Sequence, residues 1–217
     1  MTKQLRGYLP EPIVLIALAL AFIFFGLTFR GPRVRFWQRM TWTGLTLGSL
    51  SLIAEPRLRR TRFGLREAAL GLGSAGVLYV IFQIGDWLTR LILPKGGAEI
   101  RAIYGLEKLR PRQELAARLA FIIGPAEELF WRGLVQARLS KQFGLLPGYL
   151  MSAAAYGGAH LVTGNFTLIG AATIAGAFWG GLAALGVPPG ALIISHSFWD
   201  VFIFLIAPTM GSGKLTR

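Results

Sequence analysis

The amino-acid sequence predicts an all-α, polytopic transmembrane bundle of about seven helices, and three observations carry that expectation. Hydrophobic residues make up 53% of the 217 residues, only 15% are charged, and the mean hydropathy is +0.54. That balance excludes an ordinary soluble domain. Several apolar runs, beginning with Ile13 to Phe29, approach the roughly 20 residues that cross a hydrocarbon core about 30 Å thick. A lipid-exposed backbone must also satisfy its own hydrogen bonds, so these runs are read as helices.

The expected helices run over about 12–30, 37–55, 67–93, 113–139, 145–162, 166–185 and 189–208. The first is too long for a signal-peptide core and no clear cleavage site follows it, so it is read as a retained span. The second is short and carries Arg39 at its start, which suits a half-buried or tilted helix. Between the third and fourth, Pro94 to Arg112 mixes Lys, Arg and Glu with Ile103, Tyr104, Leu106 and Leu109. This mixture predicts a loop with a short amphipathic helix on the membrane surface. The fourth, fifth and seventh helices hold the unusual polar residues, while Gly176, Gly180 and Gly181 suit the sixth to close packing. Residues 1–112 thus read as N-terminal transmembrane helices with a surface loop, and 113–217 as a helix core that holds the unusual polar residues.

Cysteine is absent, which removes disulfides and thiolate chemistry. The net charge of +13 resembles a nucleic-acid signature, but the bases cluster at the ends of apolar runs, at Arg30 to Arg39, Arg57 to Arg66 and Lys95 to Arg118. Anionic lipid head groups are the expected partners, with no nucleic acid. Flanking Lys and Arg are nearly balanced between the two sides, so orientation does not follow from charge.

Against this background Glu127, Glu128 and Arg132 are costly. A charged side chain at membrane depth costs about 2.5 to 3.5 kcal/mol even on mild insertion scales and marks a functional site by default. Glu128 and Arg132 are four apart and can pair on one helix face. Glu127 points about 100° away and stays free for chemistry. From Gln142 to Gly213 there is no Lys, Arg or Glu, and the ionisable acids and imidazoles are His160, His196 and Asp200. Tyr156 and His160, and His196 and Asp200, repeat the four-residue spacing. Three helices each bring a polar spot to what can be one cavity.

Carboxylates with imidazoles and no thiol suit the activation of water. A carboxylate withdrawn from bulk water is a stronger base, and an imidazole can orient the water or carry protons. The same residues, Glu127, His160, His196 and Asp200, are also candidate ligands of one divalent metal, zinc foremost. Both routes lead to hydrolysis of an amide.

Three motifs resemble a known family. Glu127-Glu128-Leu-Phe-Trp-Arg132 is similar to the Glu-Glu-x-x-x-Arg motif of the CAAX prenyl protease and bacteriocin-processing (CPBP, or Abi) intramembrane proteases. Tyr156-Gly-Gly-Ala-His160 stands where that family has Phe-x-x-x-His, and His196-Ser-Phe-Trp-Asp200 where it has His-x-x-x-Asn or Asp. The resemblance spans about residues 115 to 207 and leaves the first three helices untouched. It implies an endopeptidase acting on a membrane-associated peptide or protein, in a multi-pass protein of a prokaryotic cytoplasmic membrane. Glu127 would activate water with His160, His196 would stabilise the oxyanion, and Glu128 with Arg132 would brace the site. Family members are described both as metalloproteases and as metal-independent, so either no cofactor or one metal is implied. Asp200 departs in chemistry, because an ionised Asp cannot donate to an oxyanion. It is read as fixing His196, ligating a metal or being protonated.

The rival function is a proton- or ion-coupled transporter using the same residues as a relay, against which the two halves show no internal repeat. Asp86 and Arg90 are read as a pair near a helix end that reaches the interface. Trp37, Trp42 and Trp87 are read as an interfacial belt. Ser195 and Ser197 lack a nucleophile-elbow context.

Overall fold

A computed structural model describes residues 9–209, so Lys3 and Arg6, counted among the flanking charges, lie outside the described residues. Among the described residues there are eight helices and no strand. They are α1 (Pro12–Arg30), α2 (Phe36–Ala54), α3 (Leu65–Ile92), α4 (Gly96–Tyr104), α5 (112–143), α6 (Leu145–Ala159), α7 (Phe166–Ala184) and α8 (Pro189–Ile206). The all-helical membrane architecture read from composition is the one observed. Helices α1, α3, α7 and α8 are long and apolar enough to cross a bilayer.

Burial separates lipid-facing helices from the centre. On α1, Val14, Ala17, Ala21, Phe25 and Thr28 are buried, which is one helical stripe, while Ile16, Ile23 and Leu27 remain exposed. On α3 only Gly71, Ala75 and Leu78 are buried, so most of its apolar surface is left for lipid. Helix α5 is the opposite: every residue from Phe130 to Gln136 is buried. A helix enclosed by protein on all sides need not show an apolar face to lipid, and it can carry charges whose partners are its neighbours.

Three details depart from the sequence reading. Segment 94–112 does not simply rest on the surface: α4 and the following turn are stitched to the bundle. The Trp37 indole donates to the Leu106 carbonyl at 2.8 Å, Arg33 donates to the Ala102 carbonyl at 3.1 Å, and Glu99 accepts from the Thr167 hydroxyl and backbone N–H at 2.7 and 2.8 Å. Trp37 is therefore not part of the belt; it is 3% exposed, whereas Trp42 and Trp87 do face outward. Helix α6 ends at Ala159 rather than near 162, with Gly164 turning the chain at φ +62°.

The chain ends of several helices meet at one face of the bundle. Arg138 of α5 pairs there with Glu11 before α1 at 2.8 Å and with Glu55 after α2. Burial pushes the Glu55 carboxyl up, but Arg57 and Arg138 outweigh it and hold the group below its ordinary value. This face carries the start of α1, the end of α5 and the turn from α7 to α8. The opposite face carries α4 and the turn from α6 to α7.

Candidate active site

The local shape of α5 begins with Pro125. Proline has no N–H and its ring crowds the preceding turn, so the regular helical ladder is interrupted there. The turns at Leu119–Ile123 are widened, with the Gly124 N–H reaching back five residues to the Leu119 carbonyl. A second widened stretch covers Leu129–Gln136. Such π-type turns recur at functional sites because they re-aim side chains. Gly124 also lets two backbones touch: a Cβ there would stand 2.9 Å from the Ser197 Cα of α8. That close approach brings the glutamate pair against His196.

Glu128 is the hub of a buried network. Its Oε1 accepts from Arg132 Nη1 at 2.9 Å and from His196 Nδ1 at 2.7 Å. The other arm of Arg132 donates to the Gly176 carbonyl of α7 at 3.2 Å, and the guanidinium lies 4.9 Å over the Tyr156 ring. A carboxylate acceptor places a proton on His196 Nδ1, so Nε2 is the nitrogen turned toward Asp200, 3.7 Å from its Oδ1. That separation is an ion-pair distance rather than a hydrogen bond. Trp179 stacks flat on the imidazole at 3.8 Å between centroids and 18° between planes, and its own Nε1 donates to Ser195 Oγ. His196 is thus held on one edge by Glu128 and on one face by Trp179.

Glu127 faces elsewhere, as the 100° step between neighbours requires. The Tyr156 hydroxyl donates to its Oε2 at 2.7 Å. His160, one turn further along, donates from Nδ1 to the Tyr156 carbonyl at 2.9 Å, which leaves Nε2 with the lone pair in the neutral ring. Phe25 and Phe29 of α1 flank this imidazole at 5.2 and 5.7 Å.

Seven of these residues, Phe29, Glu127, Tyr156, His160, Trp179, His196 and Asp200, border one cavity of about 340 Å³. Glu127, Tyr156, His160, Trp179, His196 and Asp200 form its polar end, and aromatic and aliphatic side chains of α2, α3, α4 and α7 form the rest. Asp86 also borders it while accepting from Arg90 Nε at 3.1 Å, so this pair is not merely an interfacial one. Glu128 and Arg132 instead border a second, larger cleft on the other side of α5. Sequence reasoning missed Trp179, Phe25 and Phe29. Their only signal was aromatic residues on helices without a motif, which periodicity alone assigns to packing.

Among the described residues no three His, Asp or Glu side chains stand close enough together to hold a metal ion. The donors, as arranged, therefore do not fit a site with three protein ligands. Three of the four candidates already hold a hydrogen bond: His196 donates to Glu128, Glu127 accepts from Tyr156, and His160 donates to the Tyr156 carbonyl.

The stretch from the start of α5 into α8 holds every motif residue of this geometry, and it is this stretch that has a known counterpart. Residues 114–202 match the family described as Type II CAAX prenyl endopeptidase Rce1-like. This segment is similar to that family over about two fifths of the chain. The match agrees with the motif resemblance and covers all three motifs. Four of the helices are long and apolar enough to cross a membrane, as an integral membrane protein requires. Neither the curated proteins nor the solved structures give a significant match.

Proposed function

We propose that the protein is an intramembrane endopeptidase of the CAAX-protease type in which Glu127 activates the attacking water. The observation that carries this reading is the single cavity bordered by Glu127, His160, His196 and Asp200, with apolar walls beyond them. Water attacks the peptide carbonyl while Glu127 takes one of its protons. His160 orients that water through Nε2. The developing oxyanion is met by His196, donating from Nε2 when that nitrogen is protonated. The proton held by Glu127 then passes to the leaving amine, so one water is consumed and the C–N bond is broken. Tyr156 fixes Oε2 of the base and leaves Oε1 for water; Glu128 and Arg132 brace His196 rather than react. Asp200 orients the Nε2 side of the imidazole. The substrate is a membrane-associated peptide or protein segment, its apolar side chains contacting the walls of the cavity, in a prokaryotic cytoplasmic membrane whose anionic head groups meet the basic helix ends.

Cleavage of a fluorogenic membrane-anchored peptide by the purified protein tests this. Glu127→Gln and His160→Ala are each expected to lower turnover by about a hundredfold or more while leaving the protein folded. Unchanged turnover in either variant would sink the assignment. Activity lost on chelation and restored by Zn²⁺ would replace the water-activating carboxylate with a metal route.

A further inference from the structure

The large cleft on the other side of α5 has a volume of about 800 Å³ and opens at the face where α1 begins. Glu128, Arg132, Gln136 and Ser140, spaced four apart, all border it and form a polar stripe from the buried hub to the surface. Three atoms of this stripe are buried and have no protein hydrogen-bond partner: Glu128 Oε2, Gln136 Oε1 and Ser140 Oγ. Glu128 is 3% and Gln136 4% exposed, and the Gln136 amide is held in place by donating to the Gly180 carbonyl at 2.8 Å. Buried polar atoms in native proteins are nearly always paired, and where protein offers no partner, ordered water does so. At its inner end the cleft reaches the carboxylate that holds His196 Nδ1.

We infer that this cleft is a hydrated inlet through which the site exchanges protons by way of Glu128 and His196, from the face opposite α4. The inference rests on the hydrolytic reading above and deepens it. A peptide lying in the 340 Å³ cavity occupies the space around Glu127, so the protons exchanged in each turnover need a route that substrate does not block. The polar stripe is such a route, and it leads to the carboxylate that is hydrogen-bonded to the His196 imidazole.

Because the sequence has no cysteine, single thiols test it directly. Leu129→Cys and Val187→Cys, which border the cleft, would be labelled in proteoliposomes with a membrane-impermeant methanethiosulfonate. Val77→Cys on the lipid face of α3 and Leu185→Cys at the surface serve as references. Thiols react as thiolates, which form in water and not in lipid, so the cleft positions are expected to label at least about tenfold faster than Val77→Cys, and only from the face where α1 begins. Rates no higher than the lipid reference at both positions, or labelling only from the α4 face, would overturn the inlet. Labelled Leu129→Cys is expected to lose turnover with KM unchanged. Full turnover after complete labelling would show a wet cleft that does not serve the site and would equally overturn it. The labelling rates do not depend on proteolysis, so failure of the hydrolytic reading would appear separately, as wild-type protein that cleaves nothing.

Discussion

The two hollows on either side of α5 differ in what their walls can do. One is small and lined mainly by aromatic and aliphatic side chains, with Glu127, His160, His196 and Asp200 among its few ionisable groups. The other is larger and bordered by Arg57, Arg138, Lys141 and Glu55, with a polar stripe running inward. Adjacent residues of one helix serve the two sides: Glu127 borders the first and Glu128 the second. Consecutive positions on a helix diverge by about 100°, so a Glu-Glu pair is a way to place a carboxylate in each of two environments at nearly the same depth. One group can be exposed to substrate while the other is committed to charge balance.

The largest expected effect falls on the substrate side. Glu127→Gln keeps shape and the Tyr156 contact but removes the base, and general-base groups contribute about 10²- to 10⁴-fold. We expect kcat to fall by that range with KM and thermal stability near wild type. A large loss of stability instead would erase the distinction between the two carboxylates. Glu128→Ala should behave in the opposite way. It strands Arg132, 6% exposed, and frees His196, and breaking one side of a buried ion pair costs about 3–5 kcal/mol. Thermal or denaturant unfolding in detergent is expected to show that loss before any kinetic measurement is made, and a wild-type midpoint would show that Glu128 is not the hub.

Much of this difference was legible in the residues. Spacing of four gave the Glu128 to Arg132 pair, and the scarcity of ionisable groups after Gln142 drew attention to His160, His196 and Asp200. The link between Glu128 and His196 was not legible, because it joins α5 to α8 across 68 residues and depends on the Gly124 contact with Ser197. Spacing within one helix suggested Asp200 as the partner that fixes His196, yet the shorter contact comes from another helix. The same holds for Trp179 and Phe25: an aromatic residue in an apolar helix has the same local pattern whether it faces lipid, core or an imidazole. The helices themselves were readable to within a few residues, since their boundaries follow from apolar length and from glycines such as Gly144 at φ +95°. The docking of α4 was not, because its amphipathic pattern fits equally a membrane surface and a protein groove.

A smaller effect separates the base from its support. Tyr156→Phe removes the hydroxyl that donates to Glu127 and gives the residue found at this place in the motif it resembles, so folding should be retained. A hydrogen bond to a charged group is worth about 1.5–3 kcal/mol, which corresponds to roughly ten- to hundredfold in rate if it is used fully in positioning the base. Turnover reduced within that range, and still well above Glu127→Gln, is the expected result. A loss equal to that of Glu127→Gln would mean that Tyr156 takes part in the chemistry itself.

The smallest effect concerns the cover of the aromatic cavity. Glu99 of α4 sits at the start of α7, where it accepts from the Thr167 hydroxyl and N–H, and the exposed amides of a helix N-terminus favour a negative charge. Burial pushes its carboxyl up, but the Thr167 hydrogen bonds, with help from the Phe166 backbone, outweigh this and hold it below the ordinary value of 4.5. A carboxyl lowered in the folded state stabilises the dock fully above its unfolded value and loses that contribution as pH falls through the folded one. The amides of α4 should therefore exchange with deuterium at a protection that is constant from pH 8 to 6 and weakens only in acid below about 4.5, once intrinsic exchange is corrected for. In Glu99→Gln the amide oxygen still accepts but does not titrate, so the acid-dependent step should vanish and a lower, flat protection remain. Persistence of the step in that variant would assign it to another group, and α4 would then be held by its apolar contacts and by the Trp37 to Leu106 hydrogen bond alone.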